Sequence, residues 1–252
     1  LQDIRYPFRT WTEQIASKTR ETTVAPPSPL PFSPAEAESL TAAELIAAAL
    51  EAFHPQIALA CSFQQEEAVL LELVLTARPD ARVFALDTGV LFPETYATWR
   101  AVEERYGIEI EAFRGPTLEQ QAAAHGDALW ERDPNACCGL RKVEPLGRAL
   151  GELDAWITGI RRDQAPTRAN TSKVEYDEVR GIWKFSPLAD WTEDDVWACI
   201  RERELLVNPL HEQGYASIGC THCTKPGAGR EGRWSTSEKT ECGLHPAGGP
   251  LG

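Results

Sequence analysis

The chain has 252 residues, enough for one large domain or two small ones, and 42% of them are hydrophobic, enough for a real core. A formal net charge of −13 argues against a protein that coats nucleic acid, whose footprint is basic, but leaves room for a small anion held by a few local cations. No apolar run approaches the roughly 20 residues of a membrane helix, and the N-terminal LQDIRYPFRTW lacks an apolar signal region, so no membrane or nucleic-acid partner and a cytoplasmic location are expected.

Residues 1–34 end in VAPPSPLPFSP and read as a polar arm with a semi-rigid, extended linker. Residues 35–252 read as one domain. Residues 34–53 are expected to be helical, with Ser33 as N-cap and Leu40, Leu45, Ile46, Ala49 and Leu50 at apolar spacing. Residues 57–62 (IALACS) form a short apolar run suited to a strand buried on both faces. Helix at 65–77, strand at 82–87 and helix at 93–106 follow, the last with Pro93 in its first turn. Residues 108–113 alternate like a third strand. Residues 137–150 read as helix, with Pro145 a kink or break. Residues 155–160 form a fourth strand, and 191–204 a helix capped by Thr192. Alternating strands and helices predict an α/β fold, a doubly wound, mostly parallel sheet with an irregular C-terminal segment after about residue 206. Ligands in such sheets bind at the carboxyl ends of strands, where strand order switches.

Seven cysteines, an odd number, with no export signal, argue against a disulfide framework. Cys137-Cys138 and Cys220-Thr221-His222-Cys223 supply four thiols. A CxxC pair can clamp a soft metal, and four thiolates suit zinc or an iron–sulfur cluster equally. Four buried, reduced thiols are the alternative. Cys242 lies in Lys239-Thr240-Glu241-Cys242-Gly243-Leu244-His245. Nearby cations favour a nucleophilic thiolate and Glu241 opposes it, while a fifth metal ligand or an inert tail thiol would need neither. Cys61, in a strand, and Cys199, in a helix, read as core. Ser62 opens the turn after the first strand, and Asp87-Thr88-Gly89 the turn after the second. Either turn suits ligand contact or an ordinary connection. Arg141-Lys142, Arg161-Arg162 with Arg168 beyond, and Arg230 with Arg233 are basic clusters in an acidic chain. Each reads as a local anion site or as a solvated patch.

In combination, CCGLRK, TGIRRDQAPTR, IGCTHC and KTECGLH, in that order from about residue 57 to 245, resemble the adenylylsulfate/phosphoadenylylsulfate reductase family. The first turn departs from that pattern, with SFQQEE in place of SFSGAED. The resemblance implies an adenine-nucleotide α-hydrolase-like sheet and a [4Fe–4S] cluster held by Cys137, Cys138, Cys220 and Cys223. It implies Cys242 as nucleophile and Lys142 between cluster and sulfo group. Arg230, Arg233 and His245 then bind the phosphate and sulfate oxygens. Ser62, Asp87, Thr88, Gly89, Arg161 and Arg162 surround the nucleotide. The implied substrate is adenosine 5′-phosphosulfate, with the 3′-phosphorylated form a second candidate. The implied reductant is thioredoxin or a similar dithiol protein, and a homo-oligomer is compatible. Two rivals are an ATP-using tRNA-thiolating enzyme, which would carry SGGxDS after the first strand, and a non-catalytic, metal-stabilised nucleotide-binding module.

Overall fold

The computed structural model describes residues 30–234 and 239–245; the arm expected at residues 1–29 lies outside them. Six strands form one sheet: β1 Ile57–Cys61, β2 Arg82–Asp87, β3 Glu111–Arg114, β4 Ala155–Ile157, β5 Val174–Asp177 and β6 Ile182–Phe185. The order is β3-β2-β1-β4-β6-β5. Every neighbour pair is parallel except β5 with β6, so the mostly parallel sheet carries one antiparallel edge strand. The chain winds outward from β1 to β3, then returns to lay β4 on the other side of β1. The switch in strand order therefore lies between β1 and β4, where open α/β sheets bind ligands.

Side chains alternate across the sheet and so define two cores. On one face Ile57, Leu59 and Cys61 of β1, Val83 and Ala85 of β2, and Ala155 and Ile157 of β4 meet four helices. These are α2 Ala42–Phe53, α3 Gln65–Ala77, α4 Pro93–Tyr106 and α9 Glu193–Arg203. On the other face Ala58, Phe84, Trp156 and Ile182 pack against Leu146, Ala149 and Leu150 of α8 Glu144–Leu150. Helices on both faces bury the central strands completely, which is why those strands read as continuous apolar runs.

Expected and observed boundaries differ where local chemistry overrides periodicity. The helix expected over 34–53 is two: α1 Pro34–Ala37, capped by Ser33, and α2, restarted by a second capping box in which Thr41 and Glu44 bond reciprocally. The helix expected over 137–150 is α7 Pro134–Cys138, a π-helical turn Gly139–Val143, and α8. Pro145 does not break it; it sits in the first turn of α8, where no N–H is needed. The third strand begins three residues later than expected. The fourth ends at Ile157, freeing Thr158-Gly159-Ile160 from the sheet. The hairpin β5–β6 and the helices α5 Leu118–His125 and α6 Leu129–Arg132 were not expected, being short and weakly periodic. Beyond α9 the described residues hold only short 3-10 turns, as the composition there predicts.

Candidate active site

A cavity of about 150 Å³ opens at the carboxyl ends of β1 and β4, over the switch point. Its sheet side begins at Ser62, whose Oγ donates to Glu67 Oε2 at 2.7 Å; the Gln64 N–H donates to the same oxygen at 3.2 Å. Phe63 takes a left-handed φ of 60°, held by stacking on Trp99 at 5.0 Å. The turn is thus wound around a carboxylate, not left open as an empty anion nest. Gln64 Oε1 accepts from the Ile218 N–H at 2.7 Å and so ties this turn to the C-terminal segment.

Opposite, Thr158 and Gly159 leave β4. A Cβ on Gly159 would stand 2.5 Å from Glu67 Oε1 and 2.8 Å from Glu66 Cβ, so only glycine allows the two acids this close. Both acids are buried. Burial, and then the Glu66 charge, push the Glu67 carboxyl up to about 7. Glu66 Oε1 accepts from Arg161 Nε at 3.0 Å and Gln164 Nε2 at 2.8 Å. Nothing in SFQQEE marked these acids as buried. They looked like ordinary N-terminal helix residues, and their setting depends on the approach of Gly159.

Of the residues expected around a nucleotide, Ser62 and Thr88 line the cavity, with Lys142, Arg230, Arg233, Cys242 and His245. Asp87, Gly89, Arg161 and Arg162 stand behind it. Asp87 accepts from Tyr96 at 2.7 Å, the Gly89 N–H at 2.9 Å and Arg114 at 2.8 Å. Burial would raise its carboxyl, but those bonds hold it below the usual range. Arg161 is 3% exposed and serves as a strut to Glu66 and Asp163. Arg162 pairs with Glu38 at 2.6 Å and bonds the Thr171 carbonyl at 2.8 Å, anchoring the segment before α2. Arg168, noted only as an extra cation, lines the cavity.

Beside the cavity lies a smaller space walled by Cys137, Cys138, Cys220 and Cys223, with Trp130, Arg141, Lys142, His222, Arg233 and Trp234. The π-helical turn follows directly on Cys138 and carries both Arg141 and Lys142. Lys142 and Arg233 border both spaces. Buried Arg141 donates to the Thr88 carbonyl at 2.5 Å and to Gln121 at 2.7 Å. Its second Nη, and Arg233 Nε, are buried without a hydrogen-bond partner. Two orphan guanidinium donors beside four thiols suit an anionic sulfur centre, whose sulfurs would accept from them. Burial, and then the neighbouring cysteines, push the thiols of Cys137 and Cys223 up to about 11. Among the described residues, no three His, Cys, Asp or Glu side chains are placed to grip one metal ion. All seven cysteines are free.

The C-terminal segment closes the cavity. Arg233 donates to Ser217 Oγ at 3.0 Å and the Ile218 carbonyl at 3.1 Å, and lies over Trp234 at 4.6 Å. Its guanidinium occupies the room that a Cβ on Gly219 would need. Cys242 is 8% exposed. Gly243 turns the chain with φ 82°, Leu244 packs on the α8 core, and His245 stacks parallel to Trp156 at 5.4 Å. His245 is held neutral, far below its usual pKa, by burial and then by Lys184, Arg168, Arg180 and Arg230; its Nδ1 has no partner. The Cys61 thiol is pushed well up by burial and Glu67, unlike a nucleophile, and half-buried Cys199 packs on the main core.

The profile of the phosphoadenosine phosphosulfate reductase domain matches residues 56–226. Adenosine 5′-phosphosulfate reductase 1 of Bacillus subtilis is 50% identical over 197 residues, 75% of this chain and 84% of that protein. The adenosine 5′-phosphosulfate reductase of Salinibacter ruber is 43% identical over 203 residues, 78% of this chain and 81% of that one. The crystal structure of phosphoadenylyl-sulfate reductase from Candida auris, a phosphate complex, superposes with a TM-score of 0.67 at 32% identity, covering 74% of this chain and 91% of that one. Candida glabrata FMN adenylyltransferase, at TM-score 0.56 and 17% identity over 77% of this chain and 64% of its own, shares the fold alone. The sheet is that of the adenine-nucleotide α-hydrolase-like folds. No described helix is long and apolar enough to cross a membrane.

Proposed function

The chain belongs to the phosphoadenosine phosphosulfate reductase family, and from that premise we propose that it reduces adenosine 5′-phosphosulfate to sulfite and AMP in assimilatory sulfate reduction, through an S-sulfocysteine on Cys242. The observation that carries this is the position of Cys242. Its residue lines a cavity at the switch point whose wall also gathers Lys142, Arg168, Arg230 and Arg233. In a chain of net charge −13, four cations around one thiol are a local site for an anion.

The steps balance as two displacements. The Cys242 thiolate attacks the sulfo sulfur, an S–S bond forms, the S–O bond to the phosphate breaks, and AMP leaves with the electron pair. A thiolate of thioredoxin or a similar dithiol protein then attacks Cys242 Sγ. Sulfite departs with two electrons, and the partner's second thiol resolves the mixed disulfide. Lys142, Arg230 and Arg233 lower the repulsion between an anionic thiolate and an anionic substrate. His245, neutral in a cation-lined pocket with an orphan Nδ1, is suited to gain a proton or donate a hydrogen bond once an anion enters. Ser62 and Gly159 shape the sheet side of the nucleotide site.

Cys137, Cys138, Cys220 and Cys223, which wall one space beside two orphan guanidinium donors, would hold a [4Fe–4S] cluster through their thiolates. When bound, such a cluster would supply fixed charge and a cross-link between α7 and the C-terminal segment, and it need not change redox state. Reduced cysteines fit work in the cytoplasm. Sulfite and AMP release from adenosine 5′-phosphosulfate, and separately from its 3′-phosphorylated form, with thioredoxin present, tests the proposal. Turnover with the first, faster than with the second, is expected; no sulfite from either refutes it.

A further inference from the structure

The residue before the nucleophile makes the strongest polar contacts of the tail. Glu241 Oε1 and Oε2 accept from Arg168 Nε and Nη2, each at 2.9 Å, in a two-point fork. Oε2 also accepts from Arg230 Nη2 at 3.0 Å, and Oε1 from Thr167 Oγ1 at 3.2 Å. Arg230 reaches the Thr240 carbonyl as well, at 3.1 Å. The side chains of Glu241, Arg168 and Arg230 are 21%, 12% and 19% exposed. At that depth salt screens them far less than a surface pair. Burial would raise the Glu241 carboxyl, but the Arg168 hydrogen bonds and then the Arg168 and Arg230 charges hold it low.

The geometry joins the connection after β4 to the C-terminal segment. Arg168 belongs to the connection after β4, on the sheet side of the cavity, and Gln164 Oε1 fixes its third nitrogen at 2.6 Å. Arg230 belongs to the C-terminal side. Both line the cavity. Among the described residues, Cys242 also packs with Cys138 and Trp234, Leu244 with the α8 core and His245 with Trp156, contacts that do not fix direction as a forked ion pair does.

We propose that Glu241 is a positioning residue, the pin that holds the tail closed with the Cys242 thiol in the cavity, by bridging Arg168 and Arg230. The same bridge compensates two guanidinium charges that face each other while no anion is bound. A substrate anion then meets arginines already oriented, and loosening the bridge uncovers Cys242 for a thiol partner. The catalytic consequence rests on Cys242 being the nucleophile; closure of the tail does not.

The test uses the full chain with its metal centre, without nucleotide. The rate of Cys242 alkylation by iodoacetamide, a neutral reagent, is read by peptide mass spectrometry across a salt series. Glu241→Gln is expected to speed alkylation about tenfold, as for loss of a charged hydrogen bond, with most of the gap to the parent persisting as salt rises. Arg168→Gln, which leaves the Arg230 leg of the bridge, should give a smaller gain, and the double variant little more than Glu241→Gln alone, since the shared contact is removed only once. If turnover is present, Glu241→Gln should lower kcat more than it raises KM. Alkylation unchanged in both single variants, with iron content and AMP binding retained, overturns the proposal. Additive gains in the double variant overturn the bridge. Absence of sulfite production would refute the function proposed above while leaving the alkylation result standing.

Discussion

Thr158 and Gly159 reach the cavity from the end of β4, where the Thr158 N–H still bonds the Phe185 carbonyl at 2.9 Å. Cys242 and Arg233 reach it from a segment with no ladder, held by Ser217, the Ile218 carbonyl, Trp234 and the Glu241 bridge. Backbone hydrogen bonds between buried strands fix the first side, and its acids come this close to β4 because Gly159 has no Cβ. The second side is held by isolated backbone bridges, such as Thr224 with Arg233, and by side chains. The proposed reaction, which would admit first a nucleotide and then a protein thiol, needs one side that stays and one that can yield.

The comparison breaks most sharply at Cys242. Cys242→Ser is expected to cut turnover by at least about a thousandfold, with iron content and AMP binding intact, since both the sheet side and the thiol pocket remain. Next, Cys220→Ser or Cys223→Ser should lose the metal centre, release the C-terminal side and reduce turnover by about two orders of magnitude or more, while far-UV circular dichroism keeps the signature of the sheet. The parent, purified without oxygen, should carry about four iron per chain; stoichiometric zinc would contradict the assignment. Arg233→Ala or Lys142→Ala should lower kcat/KM by roughly one to three orders of magnitude, and normal kinetics in both would remove these cations from the site.

How much of this was legible in the sequence follows the same divide. Helix boundaries at 65–77 and 93–106 and the Thr192 cap could be read because apolar spacing and caps act locally. The break at Thr41 was missed because apolar residues continue through it, and the π-helical turn because its hydrogen-bond shift has no periodic mark. The four cysteines, Lys142, Arg230, Arg233, Cys242 and His245 stand out by motif order, and they line two adjoining spaces. Burial of Glu66 and Glu67, and the Arg168 fork of Glu241, depend on contacts 73 to 98 residues apart along the chain, which no local pattern encodes. Arg161 and Arg162 show the converse. Their motif was plain, yet their side chains turn to Glu66 and Glu38 and away from the cavity.

The smallest effect sharpens the rigid side. Folding lifts the Glu67 carboxyl from an ordinary 4.5 to about 7. Between those values the folded chain holds a proton that the unfolded chain has released. Its contribution to stability is therefore full below about pH 4.5 and lost as pH rises through 7. Glu67→Gln should flatten that decline in the denaturant midpoint between pH 5 and 8, by a modest amount; an unchanged pH profile would mean that Glu67 is ionised in the folded protein.

The most direct measurement mixes the enzyme with adenosine 5′-phosphosulfate and no reductant. One AMP per active site should be released and the reaction should then stop, with a sulfo adduct on the Cys242 peptide that thioredoxin discharges as sulfite. An adduct on Cys61, or continued AMP and sulfite formation by Cys242→Ser, would contradict the account.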